Sequence, residues 1–212
     1  MSPPTLRTER ALLRGSPGAV LAAVDEVGRG ALAGPVAVGI VLVDDRVPPA
    51  PRGVRDSKAC APPLRHSLAP RIRRWARASA VGLASSAEID SVGIIRALGM
   101  AAARALNGLG CRPDIVLLDG SHDWIGGVAV GSRVVMRVKA DTTCAAVAAA
   151  SILAKVHRDT LMESLAAGYP AYGWHANRGY AAPEHVDALA RLGPSPLHRQ
   201  SWRLPGLVAD PA

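Results

Sequence analysis

The chain has 212 residues, a formal net charge of +8 and a pI of about 10.2. With 49% hydrophobic and 20% charged residues it has the make-up of one folded domain with a proper core, which excludes a disordered chain. The longest apolar run, Ala31 to Val43, contains Gly34-Pro35 and is too short to cross a bilayer, and the Arg-rich N-terminus is no secretory signal, so the expectation is a cytoplasmic protein with no membrane contact.

There is no Phe. The core therefore has to come from Ala, Val, Leu and Ile, and Ala-rich helices must pack close to whatever they cover. The positive charge attracts polyanions, nucleic acid first. Arg greatly outnumbers Lys, as a GC-rich coding bias would also produce, so charge alone does not separate an enzyme from a binder. Cys60, Cys111 and Cys144 are odd in number and form no Cys-x-x-Cys pair, which reads as reduced thiols rather than a disulfide framework or a zinc site.

In chain order, residues 1–18 read as an N-terminal arm with a short helix through Thr8 to Leu13, broken by Ser16-Pro17-Gly18. Ala19 to Val24 reads as a buried strand, and Ala31 to Val43 as a second one ending near Asp44-Asp45. Between them stands Asp25-Glu26-Val27-Gly28-Arg29-Gly30. Two adjacent carboxylates at the end of an apolar strand are costly unless something pairs with them, and a divalent cation is the usual partner. The ordinary alternative is a turn in which Arg29 neutralises Asp25 or Glu26. The glycines on either side of Arg29 leave the backbone bare to a ligand.

A loop rich in Pro and Arg ends in Arg55-Asp56-Ser57-Lys58. On spacing alone this is a solvated helix start; the other reading is a phosphate contact from Lys58 with Ser57 and Arg55. Pro70 to Arg77 reads as a solvated basic helix face with Ile72 and Trp75 turned inward, and Ala78 to Ala84 as a third strand. Ser86-Ala87-Glu88 opens a helix along which Ile94, Leu98, Ala101, Ala105 and Leu109 recur at helical spacing. Pro113 to Gly120 is a strand that ends on Asp119, a position where open α/β sheets bind ligands, although Asp-Gly is also an ordinary turn. Asp123 is a lesser candidate in the following loop. Arg133 to Val138 reads as a strand. Asp141 is either an N-cap or a metal ligand ahead of an Ala-rich helix from Ala145 to about Leu165. A last helix runs from Pro183 to Leu192, closed by Gly193-Pro194.

Several of these strings, in this order, resemble the ribonuclease HII family. They are Asp25 to Gly30 followed by Leu32-Ala33-Gly34-Pro35, then Asp56-Ser57-Lys58, then Lys139-Ala140-Asp141. After them come Ala148-Ala149-Ala150-Ser151-Ile152-Leu153-Ala154-Lys155-Val156, Arg178-Gly179-Tyr180 and Leu197-His198-Arg199. The likeness spans about Ala19 to Trp202. Ala140 stands where the family has Gly, leaving that backbone less free, and Arg178 stands where it has Lys. The start of the helix after Ala59-Cys60-Ala61-Pro62-Pro63 also departs from the family's Ser or Thr cap. Ribonuclease HIII, which lacks the Gly-Arg-Gly form, is less similar.

The resemblance implies an α/β, ribonuclease H-like fold: a five-stranded mixed sheet flanked by helices, with a catalytic core over 19–168 and a small C-terminal helical part over 169–212. It implies an endonuclease that cuts RNA in RNA–DNA hybrids and nicks 5′ of single ribonucleotides in duplex DNA, leaving a 3′-hydroxyl and a 5′-phosphate. It assigns metal ligation and catalysis to Asp25, Glu26, Asp119 and Asp141. Oxygen donors without His or Cys select magnesium or manganese, and a pair of such ions suits a scissile phosphate. It also implies that Gly28, Arg29 and Gly30 read the 2′-hydroxyl through their backbone, that Ser57 and Lys58 meet phosphate, and that Tyr180 stacks on a sugar. A monomer is expected, and Gln200-Ser201-Trp202 is too weak to count as a clamp-binding motif. The rivals are a non-catalytic nucleic-acid binder, and a nucleotide-binding module, for which no Gly-Lys-Ser/Thr string is present.

Overall fold

The computed structural model describes residues 3–207. The strands are β1 (Leu21–Val27), β2 (Val36–Val43), β3 (Ala78–Ala84), β4 (Ile115–Asp119) and β5 (Arg133–Arg137). The helices are α1 (Arg7–Leu13), α2 (Pro62–Trp75), α3 (Ser86–Val92), α4 (Ile94–Asn107), α5 (Ala140–Thr143), α6 (Ala145–Ala166), α7 (Trp174–Asn177) and α8 (Pro183–Leu192). The strands form one mixed sheet in the order β3-β2-β1-β4-β5. β1 pairs antiparallel with β2 and parallel with β4; β2–β3 is antiparallel and β4–β5 parallel.

Both faces of the central strands are covered, which is why the sequence shows runs rather than alternation. One face, carrying Leu21, Ala23, Ile115 and Leu117, packs under α1, α2 and α6. The other, carrying Ala22, Val24, Val116 and Leu118, packs under α4. Small residues let α6 lie close. Gly39 of β2 pairs with Asp25 of β1, and a Cβ at Gly39 would run into the Ala150 carbonyl of α6.

Four local expectations are revised. The helix opening at Ser86 is two helices. Ser85 and Glu88 form a capping box, with Ser85 Oγ accepting from Glu88 N at 3.2 Å and Glu88 Oε2 accepting from Ser85 N at 2.8 Å; Gly93, at φ +79°, then ends α3 before α4 begins. α2 starts directly on Pro62, whose missing N–H costs nothing at a first helical turn. Asp25 and Glu26 lie inside β1, not beyond its end. Finally, the N-terminal segment is built into the core: Leu6 and Leu13 are buried, Thr5 O accepts from Ala145 N at 3.1 Å, and buried Glu9 accepts from Ala146 N at 2.7 Å. These acceptors serve N–H groups at the start of α6 that have no partner within the helix.

The C-terminal helices pack on the core through Leu32, Ala33, Met162, Tyr172, Trp174 and Leu189. Gly34 N donates to Leu197 O at 2.8 Å and Arg199 N to Leu32 O at 2.9 Å, stitching this part to the loop after β1. Among the described residues no helix is long and apolar enough to cross a membrane.

If α6 rests on β2 because residue 39 has no side chain, Gly39→Val should cost about 1–3 kcal/mol of stability. Urea unfolding followed by circular dichroism measures this; an unchanged midpoint would contradict the close approach.

Candidate active site

The parallel register of β1 and β4 runs from Leu21 opposite Ile115 to Val24 opposite Leu118. Continued by one rung, that register would bring Asp25 next to Asp119, and the charge of Asp119 does act on the Asp25 carboxyl. Both continue the face beneath α6; Glu26, by alternation, starts from the opposite face. Asp141 arrives from α5, whose first residue is tied to β4, with Ala140 N donating to Asp119 Oδ1 at 2.6 Å. Asp25 and Asp141 are buried.

Burial pushes the Asp25 carboxyl up to about 8; the Ser151 hydroxyl works against this, and the charges of Glu26, Asp119 and Asp141 add to it. Glu26 is raised by burial, against the pull of Arg29, with Asp119 adding. Asp141 is raised by burial and then by Asp119 and Asp56, with Lys58 opposing. The four carboxylates thus share one electrostatic neighbourhood. Among the described residues no three Asp, Glu, His or Cys side chains are gathered round one point as a ready-made chelate. Crowded like charges take separate partners. Asp25 Oδ1 accepts from Glu26 N at 2.9 Å, Asp119 from Ala140 N, and Glu26 pairs with Arg29 at 3.6 Å. The donors are all oxygen and mutually repelling, which fits a hard divalent cation.

Asp141 is not an N-cap of α6, since Cys144 holds that position without a side-chain bond. The strained residue in this turn is Lys139, at φ +56°, while Ala140 is helical, so Ala in place of Gly carries no backbone penalty. Asp123 is a turn residue: its Oδ1 accepts from Ile125 N at 3.0 Å and Gly126 N at 2.7 Å.

Beside Asp25 opens a cleft of about 440 Å³, with residues 25–30 on one wall and Ser57, Lys58, Ser151, Lys155 and Tyr180 on the other. It brings together all six expected substrate residues. Ser57 is buried, its Oγ accepting from Ser151 Oγ at 2.8 Å, while Lys58 is exposed. The Tyr180 ring lies 5.6 Å from Lys155 Nζ and 5.3 Å from the Arg158 guanidinium carbon. Asp159 anchors this wall. It accepts from Lys155 at 2.8 Å and faces Arg65 at 3.6 Å, and Arg65 in turn donates to Ser57 O at 2.8 Å.

Ser151, Lys155, Arg158, Asp159 and Arg199 take part in the site but were not singled out from the sequence. Three of them left a signal: Ser151, Lys155 and Asp159 recur at every fourth residue of α6, which sets them on one helix face. Arg158 and Arg199 are wholly buried and donate only to main-chain carbonyls. Below them two buried histidines form a relay. His185 Nδ1 donates to Tyr180 O at 2.8 Å, and its Nε2 accepts from Trp174 Nε1 at 3.2 Å and from His198 Nε2 at 2.9 Å. His198 Nδ1 accepts from Ser195 N at 2.9 Å. That pattern assigns one proton to each ring, and burial followed by the neighbouring His185 pushes His198 down to about 4. The relay fixes the backbone of Tyr180.

The ribonuclease HII family model matches residues 22–204, which include all four carboxylates and both walls of the cleft. The chain belongs to the ribonuclease HII family. It is 46% identical over 200 residues to the ribonuclease HII of Streptomyces avermitilis, covering 94% of this chain and 84% of that one. Among solved structures, ribonuclease H2 of Pyrococcus horikoshii superposes with a TM-score of 0.72 at 27% identity, covering 87% of this chain and 94% of the other. The ribonuclease HII in the PCNA:RNase HII complex of Archaeoglobus fulgidus has a TM-score of 0.69 at 31% identity, covering 86% and 93%. A ribonuclease HIII crystallised with Mn2+ shares the fold at 21% identity, with a TM-score of 0.63 and coverage of 84% and 63%. As a ribonuclease HII the chain is a metal-dependent type 2 ribonuclease H, a hydrolytic endonuclease. The Archaeoglobus relative is bound to PCNA, which does not support the expectation that clamp binding is unsupported.

The raised Asp25 value has a definite pH consequence. In the folded chain its proton is held up to about pH 8, whereas the unfolded chain releases it near the ordinary value of 3.8. Its contribution to the stability of the metal-free protein is therefore complete below about pH 4 and lost as pH rises through about 8. Thermal unfolding in chelator should show a lower midpoint at pH 9 than at pH 6, with a smaller fall in Asp25→Asn. An equal fall in both proteins would contradict the buried, crowded carboxyl.

Proposed function

We propose that this ribonuclease HII nicks duplex DNA on the 5′ side of a single embedded ribonucleotide, as well as cutting RNA in RNA–DNA hybrids, and so begins ribonucleotide removal from DNA in the cytoplasm. The observation that carries the reading is that the Gly28–Gly30 loop and the carboxylates of Asp25 and Glu26 line one cleft. This neighbourhood supports a loop that reads the sugar acting beside carboxylates that act on the adjoining phosphate.

Asp25, Glu26, Asp119 and Asp141 would hold magnesium or manganese, as a pair of ions. When bound, such ions supply the positive charge that activates an attacking water and offsets charge on the leaving oxygen. The chain's own residues do the rest. Lys58, exposed at the cleft, meets a backbone phosphate, and the Asp159–Arg65 contacts hold the neighbouring Ser57 main chain in place. The backbone of Gly28, Arg29 and Gly30 meets the 2′-hydroxyl, the group that separates RNA from DNA. Tyr180, fixed through its carbonyl, stacks on the sugar next to the ribonucleotide. The products carry a 3′-hydroxyl and a 5′-phosphate.

Gln200–Trp202, too weak in sequence to count as a clamp-binding motif, is tied to the fold through its main chain. Asp90 accepts from Gln200 N at 2.9 Å and Ser201 N at 3.0 Å, and Trp202 lies against Arg199.

The test is incubation of a DNA duplex bearing one ribonucleotide, with and without magnesium or manganese, the products being sized on a gel. Asp25→Asn and Asp119→Asn should each lose more than the roughly 10–100-fold typical of groups outside a metal's ligands, while duplex binding survives. Intact nicking in both would remove the metal assignment. Tyr180→Ala should slow cleavage at single ribonucleotides more than cleavage of long hybrids, by up to the roughly 1–3 kcal/mol of a base-stacking contact; equal losses would count against stacking.

A further inference from the structure

Arg158 and Arg199 are buried cations, and among the described residues neither is in a salt bridge. A buried charge is expensive, and an apolar side chain of similar size would ordinarily serve stability as well. What these two side chains do is hold backbone. Arg199 donates to Arg29 O at 2.7 Å, to Gly28 O at 2.5 Å and to Gly34 O at 3.3 and 3.4 Å. Arg158 donates to Pro35 O at 2.8 Å, Ala33 O at 3.1 Å and Arg178 O at 2.9 Å. Gly28 sits at φ +87°, and a Cβ there would run into the Arg158 guanidinium.

The geometry of the peptide unit turns these contacts into a statement about the cleft. The chain has no cis peptide among its described residues, and in a trans peptide the N–H points opposite to the C=O. Fixing the carbonyls of Gly28 and Arg29 on Arg199 therefore aims the N–H groups of Arg29 and Gly30 away from it. Both residues line the cleft. A cation bonded to those carbonyls also polarises the two amides and strengthens their N–H groups as donors. Arg199 is held in turn by Trp202, with its guanidinium carbon 4.6 Å from the indole centroid.

We propose that Arg199, aimed by Trp202, is the positioning residue that orients the Arg29 and Gly30 amides and so sets the discrimination between a ribonucleotide and a deoxyribonucleotide. The inference rests on the reading that this loop meets the 2′-hydroxyl. Lysine cannot replace Arg199, because an ammonium has no planar fork to reach three carbonyls at once.

The experiment is fluorescence anisotropy on the full chain with two probes: a DNA duplex carrying one ribonucleotide, and the same duplex entirely of DNA. Calcium replaces magnesium. Wild type prefers the first probe. In Arg199→Lys the ratio of the two affinities falls about tenfold, the scale of one misaligned hydrogen bond, and in Trp202→Leu about threefold. Affinity for the all-DNA probe stays within about twofold in both, because the charge that meets phosphate is unchanged. A merely structural role would lower both affinities together. Trp202 is only partly buried, so Trp202→Leu still decides the matter if Arg199→Lys does not fold. A wild-type preference that survives in the folded variants overturns the role of Arg199 alone. A wild type without any preference removes the loop reading itself, and this inference with it.

Discussion

A carboxylate buried under a helix, with three more acidic groups close by, is the constraint on which the rest of this structure depends. Asp25 sits in the interior of the central strand, on the face that α6 covers, and its charge is opposed by burial and by its neighbours. The surroundings are arranged to tolerate it. Gly39 on the paired strand lets α6 descend, which brings the Ser151 hydroxyl to Asp25. Thr5 and Glu9, from the N-terminal segment, supply acceptors at the start of the same helix. These features place α6, and α6 places the polar row from Ser151 to Asp159 along one wall of the cleft.

The second organising element is the pair of buried arginines. They join parts of the chain that are distant in sequence: the loop after β1, the end of α6 and the C-terminal segment. The last of these is therefore part of the site. It contributes Tyr180 to the cleft wall, the histidine relay that fixes Tyr180, and the guanidinium that holds the loop carbonyls. The acidic cluster and the loop are supported from opposite ends of the chain, and they meet at Asp25-Glu26.

How far this was legible in the sequence depended on the range of the interaction. The strands were: β1, β2 and β4 as apolar runs buried on both faces, β3 as a shorter apolar run at one edge, and β5 by the alternation from Arg133 to Val138 at the other. Asp25, Glu26 and Asp141 stood out as candidates because the strings around them are distinctive, and Asp119 because it ends an apolar strand; what brings them near one another, the register of β1 with β4 and the tie of α5 to Asp119, was not legible. The break between α3 and α4 was not, since apolar spacing continues across Gly93 and only its positive φ ends the first helix. The roles of Arg158 and Arg199 were not legible, because nothing local shows that their donors reach carbonyls more than a hundred residues away. Glu9 was hidden for the same reason: its partner is at Ala146.

The central claim is that the crowded carboxyls form a divalent-ion site in which Asp25 gives up a proton as the ion enters. Calorimetric titration of metal-free protein with manganese at pH 7, in two buffers of different ionisation enthalpy, measures that proton directly. The account predicts release of about one proton on binding, and little or none in Asp25→Asn. Binding without proton release in the wild-type protein, or the same release in the variant, would contradict it.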